Sequence, residues 1–174
     1  MAAATHADVL QSIFVTGLKN AHGVEHQALA LMDRQIDHLA NYPEISDMLR
    51  KHRAETEQQI VRVDEILSGF GESASAVKDV ALTISGNMAA IAHVFAPDEV
   101  IKNSFANFAF ENFEAAAYTS LLTLADAGPF ASAKSALQQS LSEEQRMAAW
   151  VLDNIPATTL KYVTLRAEGE TAGH

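Results

Sequence analysis

The sequence predicts an all-α protein, a four-helix bundle with an additional crossover helix. Three observations carry that expectation. Apolar residues recur at steps of three and four along five segments. Proline (4) and glycine (8) are scarce and alanine is abundant, a balance that favours helix over sheet. Four glutamates, Glu25, Glu55, Glu114 and Glu144, form two pairs, each pair 30 residues apart, as in a repeated helical hairpin. At 174 residues the chain is expected to be one domain, 1–174, with its core over about 7–155 and a tail from 156 onward.

The first helix is expected over about residues 7–40. Its stripe runs Leu10, Phe14, Leu18, Ala21, Ala28, Met32, Ile36 and Leu39, and Glu25 fills the one gap. Asn41-Tyr42-Pro43 breaks it, with Pro43 placed to start the next helix. The second helix, about 43–67, carries Ile45, Met48 or Leu49, His52, Glu55, Gln59, Val63 and Ile66, and ends at Gly69-Phe70-Gly71. A third segment, about 76–95, carries Val77, Val80, Ile84, Met88 and Ile91 without a carboxylate after Asp79. It reads as the crossover. The fourth helix, about 98–127, carries Ile101, Phe105, Phe108, Glu111, Glu114, Tyr118, Leu121 or Leu122, and Ala125. Phe105 and Phe108 are expected inside, with Phe110 and Phe113 facing elsewhere. The fifth, about 130–154, carries Ala133, Leu137, Leu141, Glu144, Ala148 and Val151. Pro156 is expected to end it, with a short turn near 158–165 and a frayed end from Gly169.

A net charge of −10 argues against nucleic acid and anionic membrane surfaces as partners. The absence of cysteine excludes disulfides, thiolate metal sites and cysteine nucleophiles. The first ten residues do not read as a signal peptide, and no stretch approaches the roughly 18 apolar residues of a membrane span. A soluble cytoplasmic protein is expected.

Carboxylates inside apolar stripes need a partner, because desolvating an unpaired one costs several kcal/mol. Both glutamate pairs fall near mid-bundle when counted from their turns. Four carboxylates converging there would be neutralised by two divalent cations. His52 lies three residues before Glu55 and Glu111 three before Glu114, each on the same helical face. The candidate ligand set is therefore Glu25, His52, Glu55, Glu111, Glu114 and Glu144. The usual Glu-x-x-His order of dinuclear carboxylate sites is absent, since Gln58 follows Glu55 and Met147 follows Glu144 at that spacing. His22, one turn before Glu25, is either a further ligand or a surface histidine. Glu143 is an alternative to Glu144. Gln58 and Gln59 are placed either to hydrogen-bond ligand carboxylates or to pack between helices. Tyr118 is placed either to donate to a carboxylate or to serve as a core tyrosine. Lys19, Arg53, Arg62 and Arg146 fall off the stripes, which argues against ion pairs as the explanation of the cluster.

The stretch His52-Arg53-Ala54-Glu55-Thr56-Glu57-Gln58-Gln59 resembles the His-x-x-Glu-Thr-x-x-Gln signature of the YciF/DUF892 family of ferritin-like proteins. Val24-Glu25, Glu111-Asn112-Phe113-Glu114 with Ala116-Ala117-Tyr118, and Leu141-Ser142-Glu143-Glu144 match further family patterns in the same order. Asn112 departs from members that carry histidine there. The resemblance spans about residues 8–155. It implies a ferritin-like bundle with a dinuclear metal site, a homodimer and a link to stress responses. The expected function is non-haem metal binding by two divalent ions, iron favoured over manganese or zinc. Such a site would oxidise ferrous iron or reduce peroxide, with O2 or H2O2 as partner. The alternative is a metal-free, degenerate-site helical protein that acts through dimeric interaction in stress.

Overall fold

The computed structural model describes residues 4–73 and 100–172. Among them stand four α-helices: α1 (His6–Ile36), α2 (Pro43–Gly69), α3 (Val100–Ala127) and α4 (Lys134–Glu168). A 3-10 turn, Ala131–Ala133, precedes α4. The expected crossover helix at 76–95 lies outside the described residues. Among those described, no helix is long and apolar enough to cross a membrane.

Local chemistry sets the helix ends. Thr5 and Asp8 form a reciprocal capping box at the start of α1, with Asp8 N–H on Thr5 Oγ1 at 3.2 Å and Thr5 N–H on Asp8 Oδ2 at 3.0 Å. Pro43 occupies the first turn of α2, where its missing N–H costs nothing. Gly71 follows α2 at φ 71°, a left-handed conformation that suits glycine.

The bundle is a ring in the order α1, α2, α4, α3. α1 packs on α2 and α3 on α4, with α1 against α3 and α2 against α4 closing the ring. α1 and α3 run antiparallel: Gln35 and Asn107 exchange amide hydrogen bonds of 3.0 and 2.9 Å at one end, and Tyr118 reaches Glu25 further along. Gly17 permits this approach, because a Cβ there would lie 2.9 Å from Leu121 Cδ2.

Two apolar clusters fill the interior. The first includes Phe14, Leu18, Val63, Leu67, Leu121, Phe130, Leu137 and Leu141, with Phe14 stacked on Phe130 at 4.5 Å. The second includes Val24, Ala28, Met32, Leu49, Val100, Phe110, Met147 and Val151. Each buried large side chain contributes about 1.5–3 kcal/mol. On α2, α3 and α4 the polar residues of interest lie in sequence between the two clusters, and on α1 Glu25 directly follows Val24, the first residue of the second cluster.

Three expectations are corrected. α4 does not stop at Asn154 but runs through Pro156 to Glu168. Pro156 is exposed, so its missing hydrogen bond frees a carbonyl that water can satisfy. Beyond it, Thr158 is buried and Tyr162 and Leu165 pack on the second cluster, and this packing overrides the local break. Nor does the chain fray from Gly169. That residue adopts φ 75° and Glu170 N–H bonds Leu165 O at 2.9 Å, a Schellman-type stop. Asn41 Nδ2 then holds Thr171 O at 2.7 Å and Tyr42 Oη holds Ala172 O at 2.8 Å. Finally, Phe110 is buried and Phe105 is exposed, against expectation, while Phe113 is exposed as expected. Ser104, not Phe105, takes the inward position, because the face set by Glu114, Tyr118 and Leu121 passes through it.

Candidate metal centre

α2 shows how phase decides a site. Leu49, Val63 and Leu67 fix its inward face, and steps of three and four from Leu49 land on His52, Thr56 and Gln59. Glu55 stands one residue off that line. On the other helices the inward steps land on Glu25 in α1, Glu111 and Glu114 in α3, and Glu144 in α4.

Five of the six sequence candidates are buried: Glu25 (1% exposed), His52 (1%), Glu111 (5%), Glu114 (2%) and Glu144 (0%). His52 Nε2 lies 2.9 Å from Glu111 Oε2 and 3.5 Å from Glu144 Oε2. Ligand atoms of these three residues fit within 4.8 Å of one another, so this buried group can hold a metal ion. Glu25 and Glu114 interact electrostatically with each other and with Glu144, which joins them to the same layer. Glu55 is turned outward. Its Oε2 lies 3.3 Å from His52 Nδ1, and its Oε1 accepts from Arg146 Nη2 at 3.0 Å.

Most polar atoms of this layer make no hydrogen bond among the described residues. Glu25 Oε2, His52 Nε2, Glu111 Oε2, both oxygens of Glu114 and Glu144 Oε2 are buried and unpaired. His52 Nε2 and Glu111 Oε2 thus stand close without hydrogen-bonding alignment. The ion pairs seen among the described residues leave this layer without a lysine or arginine: Lys19 meets Glu72, Arg53 meets Asp33 and Glu57, Arg62 meets Glu143, and Arg146 meets Glu55.

The electrostatics follow from burial. Desolvation pushes the Glu25 and Glu114 carboxyls well above the ordinary range, and neighbouring carboxylates add to the rise. Desolvation likewise raises Glu111 to about 8, although His52 opposes it. Burial disfavours the imidazolium of His52, but Glu111 and Glu144 outweigh it and push His52 up to about 11.

Neighbours hold the layer in place. Tyr118 donates its hydroxyl to Glu25 Oε1, and burial followed by the Glu25 charge raises its own pKa. Gln59 Nε2 donates to Glu143 Oε2 at 3.0 Å and also to Glu144 Oε1. Arg62 forks onto Glu143 with contacts of 2.6 and 3.0 Å. Burial works against the Glu143 charge, yet Arg62 and Gln139 hold its carboxyl below the ordinary range. Glu143 is thus committed to Arg62. Gln58 and Glu57 are exposed. The pairing of Arg62 with Glu143 had no sequence signal, because it depends on the register of α2 against α4.

A sequence model of the family described as a domain of unknown function, DUF892, matches residues 9–164. The chain is a member of the DUF892 family. Solved structures agree on the fold of this DUF892 chain. A protein from Xanthomonas campestris pv. campestris (XCC3681) matches at TM-score 0.76 and 21% identity, covering 91% of this chain and 99% of its own. The E. coli stress protein YciF matches at TM-score 0.65 and 18% identity, covering 84% of this chain and 94% of its own. YcfI from Rhodopseudomonas palustris matches at TM-score 0.65 and 18% identity, covering 86% and 97%. At these identities the likeness is one of fold. It makes the DUF892 chain a helical bundle of the YciF type.

Proposed function

We propose that the buried layer is a dinuclear non-haem metal centre held by Glu25, His52, Glu111, Glu114 and Glu144, with Glu55 behind His52. The observation that carries this reading is the set of unpaired ligand atoms. Six carboxylate and imidazole atoms are buried without a hydrogen-bond partner among the described residues. Such groups are costly unless a cation supplies the missing partner. Two divalent ions balance the four carboxylates of the layer. The oxygen-rich donor set with one imidazole suits iron, with manganese or zinc as alternatives.

When bound, a pair of ferrous ions supplies the two electrons that reduction of peroxide to water consumes together with two protons. The chain's own part is positional. Gln59 holds Glu144 Oε1, Tyr118 holds Glu25 Oε1, and Glu55 fixes the orientation of His52. Burial of the layer suits small reactants: ferrous iron, O2 or H2O2. The likeness to a protein described as a stress protein supports a role in a stress response. Homodimer formation is part of the same proposal and rests on the family alone.

The deciding experiment is anaerobic titration of metal-free protein with Fe2+, followed by oxygen or peroxide. Two ions per chain, lost in Glu144→Gln and Glu114→Gln, and oxidation of the bound iron by either reactant are the expected result. Binding of fewer than one ion per chain sinks the proposal.

The second reading is a metal-free interaction protein. It is favoured by the raised Glu25, Glu111 and Glu114 pKa values, which let protons neutralise the layer. Under it, added metal leaves the melting temperature unchanged, whereas a loaded centre raises it by mass action.

A further inference from the structure

We propose that His22, His26 and Asp64 form a separate, solvent-accessible site for a single divalent transition-metal ion. His22 and His26 stand four residues apart on α1, on one helical face, with ring centroids 4.5 Å apart at 63°. Helix-borne zinc sites take two imidazoles at this spacing from successive turns. Asp64 on α2 completes the group, with its Oδ1 3.3 Å from His22 Nε2.

Hydrogen bonding does not explain the arrangement. His22 is more than nine-tenths buried, and its Nδ1, the ring nitrogen other than the one near Asp64, has no hydrogen-bond partner among the described residues. Asp64 Oδ1 is equally unpaired, so its closeness to His22 is not an aligned hydrogen bond. Burial, opposed by Asp64 and assisted by His26, holds the His22 pKa below its usual value. His22 thus supplies a fixed, desolvated imidazole. His26 is exposed and the Asp64 side chain is 45% exposed, so rotation about their side-chain torsions can bring both onto one ion held by His22. Two imidazoles and one carboxylate, with positions open to water, suit Zn2+ or Co2+. The site does not depend on the buried layer, because none of its three residues belongs to it.

The test is calorimetric titration of metal-free protein with Zn2+, with Co2+ absorption as a second probe. His26→Ala and Asp64→Asn, both at accessible positions, should weaken one equivalent of Zn2+ by about tenfold or more. That same equivalent should persist in a Glu114→Gln/Glu144→Gln double variant, which removes ligands of the buried layer. Loss in the double variant but not in the His26 and Asp64 variants would assign all binding to the buried layer and overturn the proposal. So would His22 and His26 ring-proton NMR signals that stay unmoved up to saturating Zn2+.

Discussion

His52 Nδ1 lies 3.3 Å from Glu55 Oε2, one helical turn away, while its Nε2 faces Glu111. The two ring nitrogens therefore serve different partners. A carboxylate on one nitrogen orients the ring and increases the basicity of the other. Glu55→Ala should weaken metal binding by about 10–100-fold while leaving the number of ions per chain unchanged. A ligand role for Glu55 predicts a lower stoichiometry instead. Elemental analysis after dialysis against buffered metal distinguishes them.

The proton balance of the metal-free protein fixes the sign of its pH dependence. Glu111 titrates near 8 in the fold against an ordinary value of 4.5, and Glu25 and Glu114 are also raised. The folded chain therefore holds more protons than the unfolded chain across that interval, and stability falls as pH rises through it. His52, raised from 6.5 to about 11, acts in the same direction above neutrality. Chelator-treated protein should unfold at lower denaturant concentration at about pH 8 than at about pH 5. Saturating Fe2+ or Mn2+ should reverse the trend, because metal displaces those protons. A metal-free protein that gains stability over this range would contradict the assignment.

Arg62 holds Glu143 through two contacts, and both side chains are largely buried. Arg62→Met removes the cation and leaves a carboxylate with Gln59 and Gln139 as its remaining donors. The expected loss is about 3 kcal/mol of stability, measured by urea unfolding. The companion Arg62→Met/Glu143→Leu should recover most of it, because the loss reflects an unpaired charge rather than a missing attraction.

Pro156 interrupts the hydrogen-bond ladder of a helix that continues for a further three turns. Pro156→Ala restores the donor toward the Leu152 carbonyl on an exposed face and should stabilise the protein by up to about 3 kcal/mol. A rise in the melting temperature checks this. A fall would mean that the backbone geometry set by the proline ring is needed to seat Tyr162 and Leu165.

The helical periods of the sequence foretold the four helices described here, since apolar steps of three and four need only one chain to be seen. The mid-stripe position of Glu25 and Glu144 was legible for the same reason. Glu55 was harder. Ile66 and Leu67 are both apolar, and choosing Ile66 for the stripe put Glu55 inside, whereas the fold buries Leu67 and turns Glu55 toward Arg146. A shift of one residue on a helix is about 100°, enough to move a side chain from the core to its edge.

The sequence by itself determined the fold class, the helical hairpins and a carboxylate-rich layer, because those follow from local periodicity and composition. Tertiary structure alone decided which donors meet. The register of α2 against α4 gave Glu143 to Arg62 and Glu144 to Gln59. The antiparallel packing of α1 and α3 put Tyr118 on Glu25. The docking of residues beyond Pro156 against the second cluster carried α4 through a local helix breaker. In each case burial of distant apolar surface outweighed the local signal, and that energy is invisible until the helices are packed together.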